Sequence, residues 1–154
     1  MKHLKIGDAS PSWEGKNEKG DILKKDDFLG HKLAIYFYPK DNTPGCTTQS
    51  CNIRDNYSTL QEKEITILGV SADSIKSHQK FIAGKELPFS LIADEEKKML
   101  NLFGVWGEKK FMGRTYDGIH RTTFLMDENG VIVNIIEKPK TKFHAEEIIE
   151  LFEK

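Results

Sequence analysis

Residues Leu33-Ala34-Ile35-Tyr36-Phe37-Tyr38 form an unbroken apolar run that stops at Pro39. A strand that alternates apolar and polar residues has one wet face. This run has none, so as a strand it must be covered on both sides, and helices are the usual cover. The run therefore predicts a central strand in an α/β fold. Ile65-Thr66-Ile67-Leu68-Gly69-Val70-Ser71, largely apolar, predicts a second buried strand.

The rest of the chain arranges itself around these two runs. Asp8 to Lys25 is polar and Gly-containing and predicts an irregular or hairpin N-terminal extension. A single helix is predicted over Thr43 to Glu62, and another over Ser74 to Gly84 with Ser74 as its cap. Phe89 to Ile92 reads as a short strand, and Asp94 as the cap of a helix reaching about Phe103. A Gly-rich loop follows. Thr122–Met126 and Val131–Ile136 then read as strands flanking the turn Asp127-Glu128-Asn129-Gly130. Ala145, Ile148, Ile149 and Phe152 recur at helical spacing in the last element. The order βαβα, antiparallel hairpin, helix predicts a mixed central sheet flanked by helices, the order that a thioredoxin-like fold requires.

With 154 residues, 38% hydrophobic and 31% charged, the chain suits one compact domain spanning its whole length. The net charge of −1, from 23 basic and 24 acidic residues, and the lack of a long basic cluster argue against nucleic acid as a partner. Pairs such as Lys109-Lys110 read as solvated surface. No apolar run approaches the ~20 residues that a membrane helix needs. Nothing apolar follows Met1-Lys2-His3-Leu4-Lys5, so no secretory signal is read and a cytoplasmic protein is expected. The five histidines, at 3, 31, 78, 120 and 144, show no second ligand type at metal-site spacing.

Two cysteines remain, Cys46 and Cys51. A domain of this size does not need one short-range disulfide, and two thiols alone cannot complete a zinc site. Redox chemistry is favoured over metal binding or inert burial. Cys46 falls just past the Pro39 stop, in the first turn of the predicted helix. Free N–H groups and the positive end of the helix dipole favour a thiolate there. Stabilising a thiolate also lowers its nucleophilicity, so the gain in rate is limited. A fast reaction needs donors aimed at the atoms that take up charge. Thr43 and the N–H groups of Gly45 and Cys46 are the local candidates.

Cys46, Ser50, Ile53, Tyr57 and Leu60 share one face of that helix, with Cys51 on the opposite, more polar face. In a helix, Cα atoms of residues i and i+5 stand roughly 8–9 Å apart, and a disulfide needs less than about 7 Å. Joining the two thiols therefore requires the helix to unwind, which we expect to follow oxidation of Cys46. An inert, exposed Cys51 is the alternative.

At these residues the sequence resembles the peroxiredoxins. Pro39-Lys40-Asp41-Asn42-Thr43-Pro44-Gly45-Cys46 matches their Pro-x-x-x-Thr-x-x-Cys motif, and the Cys46-x4-Cys51 spacing is similar to that of the peroxiredoxin Q or bacterioferritin comigratory protein subfamily. Gly69–Asp73, Phe103–Lys109 and Gly113–Arg121 extend the likeness along nearly the whole chain. The resemblance implies that Cys46 attacks hydrogen peroxide or an organic hydroperoxide and becomes a sulfenic acid. It implies that Thr43 bonds thiolate and peroxide, that Arg121 stabilises the thiolate and polarises the peroxide, and that Pro39 shields the sulfur. Cys51 would resolve the sulfenic acid as a disulfide reduced by thioredoxin or a similar dithiol protein. A monomer is implied, with no metal or flavin. Gln49 departs from the frequent Glu of the family, which puts the charge network around Arg121 in question. Trp106 is a candidate for the peroxide pocket, although so large an aromatic more often belongs to a core.

Two other readings stand beside this one. A thioredoxin-type oxidoreductase would use Cys-x-x-Cys, which the x4 spacing argues against. A redox sensor would use the same sulfenic acid to signal.

Overall fold

The computed structural model describes residues 4–154; His3 and the start of the segment read for a secretory signal lie outside the described residues. The two apolar runs form β3 (Lys32–Phe37) and β4 (Ile65–Ser71), paired in parallel with Tyr36 opposite Gly69. β3 is buried on both sides. Leu33, Ile35 and Phe37 enter one core with Phe103 and Phe124, while Ala34, Tyr36 and Tyr38 enter another with Ile53, Leu60, Phe81 and Ile148. Gly69 is required at its position. A Cβ there would stand 2.6 Å from Leu91 and 2.9 Å from the Tyr36 ring, so no larger residue leaves that ring in place.

The N-terminal extension is the hairpin β1 (Glu14–Asn17) and β2 (Ile22–Lys24). With β5 (Ser90–Ala93), β8 (Thr122–Met126) and β9 (Ile132–Ile136) it completes a seven-stranded sheet of order β2-β1-β5-β4-β3-β8-β9. β3, β4 and β5 are parallel and the remaining pairings antiparallel, giving the mixed sheet expected. The helices are α1 (Pro44–Asp55), α2 (Tyr57–Glu62), α3 (Ile75–Lys85), α4 (Lys98–Leu102) and α5 (His144–Phe152). Ser74 caps α3 as expected, accepting from the Ser77 N–H at 3.1 Å.

Three expectations are corrected. The single helix over Thr43 to Glu62 is two helices, parted at Asn56, whose φ of −111° and ψ of 14° are not helical. The Asn56 amide donates to the Asn52 carbonyl at 2.9 Å, a local side-chain bond of the kind that competes with helix continuation. Asp94 does not begin a helix. Residues 94–97 make a turn, closed by Lys97 N–H on the Asp94 carbonyl at 2.9 Å with Lys97 at φ +62°, and α4 starts after it. Asp94 still caps, taking the Leu100 N–H at 2.8 Å. The Gly-rich loop is a hairpin, β6 (Trp106–Phe111) and β7 (Arg114–Ile119), turning at Met112 and Gly113 with φ of 51° and 78°. Two positive φ values in succession give the turn that suits strand twist.

Candidate active site

The site forms where β3 ends. Asn42 adopts φ +60°, a left-handed conformation that Asn tolerates better than most residues. It turns the chain so that Thr43, extended at φ −87° and ψ 155°, stands at the start of α1, with Pro44 in the first helical position. Cys46 is the third residue of α1 and is 1% exposed. Thr47 N–H already bonds the Thr43 carbonyl at 2.8 Å. The N–H groups of Gly45 and Cys46 precede the helical ladder and have no partner within the helix.

Arg121, between β7 and β8, reaches this turn. One guanidinium nitrogen donates to Cys46 Sγ at 3.3 Å and another to Gln49 Oε1 at 2.6 Å. Gly45 makes the approach possible, since a Cβ there would sit 3.2 Å from the Arg121 nitrogen. Gln49 is fully buried. Its amide oxygen orients Arg121 where a carboxylate stands in many peroxiredoxins, so the pairing survives without the second charge. The Gln49 Nε2 has no hydrogen-bond partner among the described residues.

The other candidates are placed less directly. The Thr43 hydroxyl donates to the Lys40 carbonyl at 2.8 Å rather than to the sulfur. Pro39 is half-buried at the start of the loop, and Cys51 is half-buried in α1. Cys46, Ser50, Ile53 and Leu60 are buried, as the shared face requires, and Gln49 joins them. Trp106 is half-buried, packs on the core of Phe103 and Phe124, and carries Lys97 over its ring at 5.0 Å.

A buried polar cluster holds the loop from behind. Asp41 accepts from Tyr38 Oη at 2.6 Å and Ser77 Oγ at 2.8 Å, and lies 2.7 Å from His78 Nδ1. The Asp41 N–H donates to Asp73, which also accepts from Ser71 Oγ. His78 Nε2 faces the Ile92 carbonyl at 3.0 Å, which can only accept, so Nε2 carries hydrogen. Asp41, Asp73 and His78 offer ligand atoms within 4.8 Å of one another, and hydrogen bonds already engage each residue. No local pattern marks this cluster, because Asp41 and His78 stand 37 positions apart. On the other side of the site Lys109 corrects the reading of Lys109-Lys110 as a solvated pair. It is half-buried and donates to the Ile119 carbonyl at 2.9 Å. Burial, then Arg121, push its ammonium pKa down, against the pull of Cys46.

The sequence pattern of the AhpC/TSA family matches residues 6–135. Peroxiredoxin Bcp of Escherichia coli K12 is 41% identical over 149 residues, covering 97% of this chain and 96% of that protein. A PrxQ mutant of Xylella fastidiosa superposes with a TM-score of 0.92 at 31% identity, over 99% of this chain and 98% of that one. The bacterioferritin comigratory protein of Xanthomonas campestris, studied for its alkyl peroxide reduction activity, gives a TM-score of 0.87 at 34% identity, over 97% of this chain and 96% of that one. The fold is thus the thioredoxin-like fold of peroxiredoxins, and the activity that of a peroxidase acting through thiols. The chain belongs to the AhpC/TSA family, as a peroxiredoxin of the Bcp or peroxiredoxin Q group.

Proposed function

We propose that Cys46 is the peroxidatic thiolate and Cys51 the thiol that resolves it. The observation that carries the first role is the Arg121 nitrogen 3.3 Å from Cys46 Sγ, at a helix start with free N–H groups. The thiolate attacks one peroxide oxygen. An S–O bond forms, the O–O bond breaks, and the departing oxygen takes a proton as water or alcohol. Arg121 and the Gly45 and Cys46 N–H groups stabilise the charge on that oxygen. Thr43, turning from Lys40, adds a further hydrogen bond, and Pro39 keeps bulk water from the sulfur.

The Cys51 thiolate then attacks the Cys46 sulfenic sulfur, water leaves, and a disulfide forms. Both residues lie in the intact α1, where their Cα atoms stand roughly 8–9 Å apart. α1 therefore unwinds before the bond closes. A dithiol protein of thioredoxin type reduces the disulfide by exchange. Hydrogen peroxide and organic hydroperoxides are the substrates, and the alkyl peroxide reduction of the Xanthomonas protein supports the second class. The protein acts as a cytoplasmic, single-domain monomer, in a compartment that supplies such a reductant. Among the described residues no helix is long and apolar enough to cross a membrane.

Peroxide consumption with reduced thioredoxin tests the cycle, with mass spectrometry of the oxidised protein. Turnover with a Cys46–Cys51 linkage is expected. Oxidation without turnover would point to a sensor instead.

A further inference from the structure

Side chains along α1 hold it to the rest of the protein. Cys46 and Gln49 meet Arg121, Ser50 shares a 2.9 Å hydrogen bond with Tyr36, and Arg54 donates to the Lys85 carbonyl at 2.7 Å. Asn52, the residue after Cys51, is held at both ends of its amide. Nδ2 donates to the Lys142 carbonyl at 2.9 Å, and Oδ1 accepts from the Ala145 N–H at 2.7 Å. That N–H lies in the first turn of α5, whose N-terminal Phe143 provides no side-chain cap. Asn52 supplies the missing acceptor from 93 positions away.

This placement matters for the disulfide step. The N–H groups of Asn52, Ile53 and Arg54 bond carbonyls four residues back. Uncoiling the turn between the cysteines therefore frees the backbone at Asn52 as well. Cys51 cannot leave its helical position while the next side chain is pinned at two points to α5 and the turn before it.

We propose that Asn52 is the latch on α1, a positioning residue that sets how often the helix opens for Cys51 to reach the oxidised Cys46. The proposal rests on Cys51 as the resolving thiol. It also fixes a competition. A sulfenic acid at Cys46 is either attacked by Cys51, which needs the open helix, or attacks a second peroxide in the closed site. The second path adds an oxygen to sulfur, giving sulfinic acid, and releases water or alcohol. A tighter latch sends more protein along it.

The test uses the full chain, reduced and then treated with graded hydrogen peroxide. Alkylation and mass spectrometry follow the Cys46–Cys51 linkage and the sulfinic acid. Asn52→Ala should speed the linkage about tenfold, the worth of one to two net hydrogen bonds. It should raise by a similar factor the peroxide needed to reach half sulfinic acid. Asn52→Asp keeps the acceptor for Ala145 and loses the donor to Lys142, and should fall between; it carries the test if Asn52→Ala does not fold. An Asn52 that merely supports the fold would lower the urea midpoint and leave the ratio of disulfide to sulfinic acid unchanged. That result, or a slower linkage, with the linkage present in the unmodified protein, overturns the latch alone. No linkage in the unmodified protein overturns the Cys51 reading, and the latch with it.

Discussion

Arg121 donates to the sulfur of Cys46 at 3.3 Å while its other arm is fixed on Gln49 at 2.6 Å. The planar guanidinium can serve both because its donors form a rigid fork. Arg121→Ala should lower kcat/KM for peroxide by ~10²–10³, the usual loss when a transition-state donor is removed. Arg121→Lys should recover little, since an ammonium is a point donor on a flexible stem. Near-normal kinetics in the alanine variant would remove Arg121 from the site.

Gly45 tests the same geometry from the backbone side. A Cβ would stand 3.2 Å from the Arg121 nitrogen, so the guanidinium must shift by a few tenths of an ångström. Gly45→Ala should cost activity by about tenfold or less, because a small misplacement at a reacting atom is amplified. The urea midpoint should hold or rise, because Ala favours a helix over Gly by up to ~1 kcal/mol. Lost stability with full activity would contradict this account.

The cysteines separate by substitution. Cys46→Ser should abolish peroxide consumption. Cys51→Ser should allow one oxidation of Cys46, then recycle slowly and accumulate sulfinic acid at high peroxide. Normal thioredoxin-driven turnover in Cys51→Ser would mean that another thiol resolves Cys46.

His144 predicts a pH dependence of stability. It is fully buried between Thr123 Oγ1 at 2.8 Å and Glu147 Oε1 at 3.0 Å. Burial pushes its pKa below the ordinary 6.5, outweighing Glu147, which pulls it up. Burial alone would raise the Glu147 carboxyl, but hydrogen bonds from His144 and Lys140 hold it below its usual range. At both groups the unfolded chain binds protons more readily than the folded one. Stability is therefore full above about pH 6.5 and is lost as the pH falls. Urea midpoints should drop between pH 7.5 and 5, and His144→Gln should flatten that slope. An unchanged slope would show that His144 is not the group responsible.

How much of this was legible in the sequence depended on how local the signal was. Leu33–Tyr38 and Ile65–Ser71 announced the central strands because burial on both faces favours short runs that are largely apolar. Cys46 at a helix start was legible from its neighbours. The break at Asn56 was not, because helical spacing from Ile53 to Tyr57 and Leu60 runs straight across it. The Trp106–Ile119 hairpin was hidden because most of its residues are exposed, so neither face shows an apolar alternation. Arg121 could be chosen over Arg54 or Arg114 only through family likeness. Asp41 with His78, and Asn52 with Ala145, meet across long separations, and nothing in either local pattern encodes the partner.

Asn56 leaves α1 a segment of 12 residues that includes the weak helix formers Pro44, Gly45, Thr47, Thr48, Ser50 and Asn52, with few apolar side chains beyond the two cysteines and Ile53. Isolated helices shorter than ~12–15 residues are marginal in water even when alanine-rich. Cut off from α2, this one has no longer helix to lean on. Its coil-to-helix balance, taken alone, favours the coil, and the helical form exists only while its neighbours hold it. Cys46 thus rides on a segment whose shape belongs to its surroundings, and the partners of Gln49, Ser50, Asn52 and Arg54 decide how long that shape lasts.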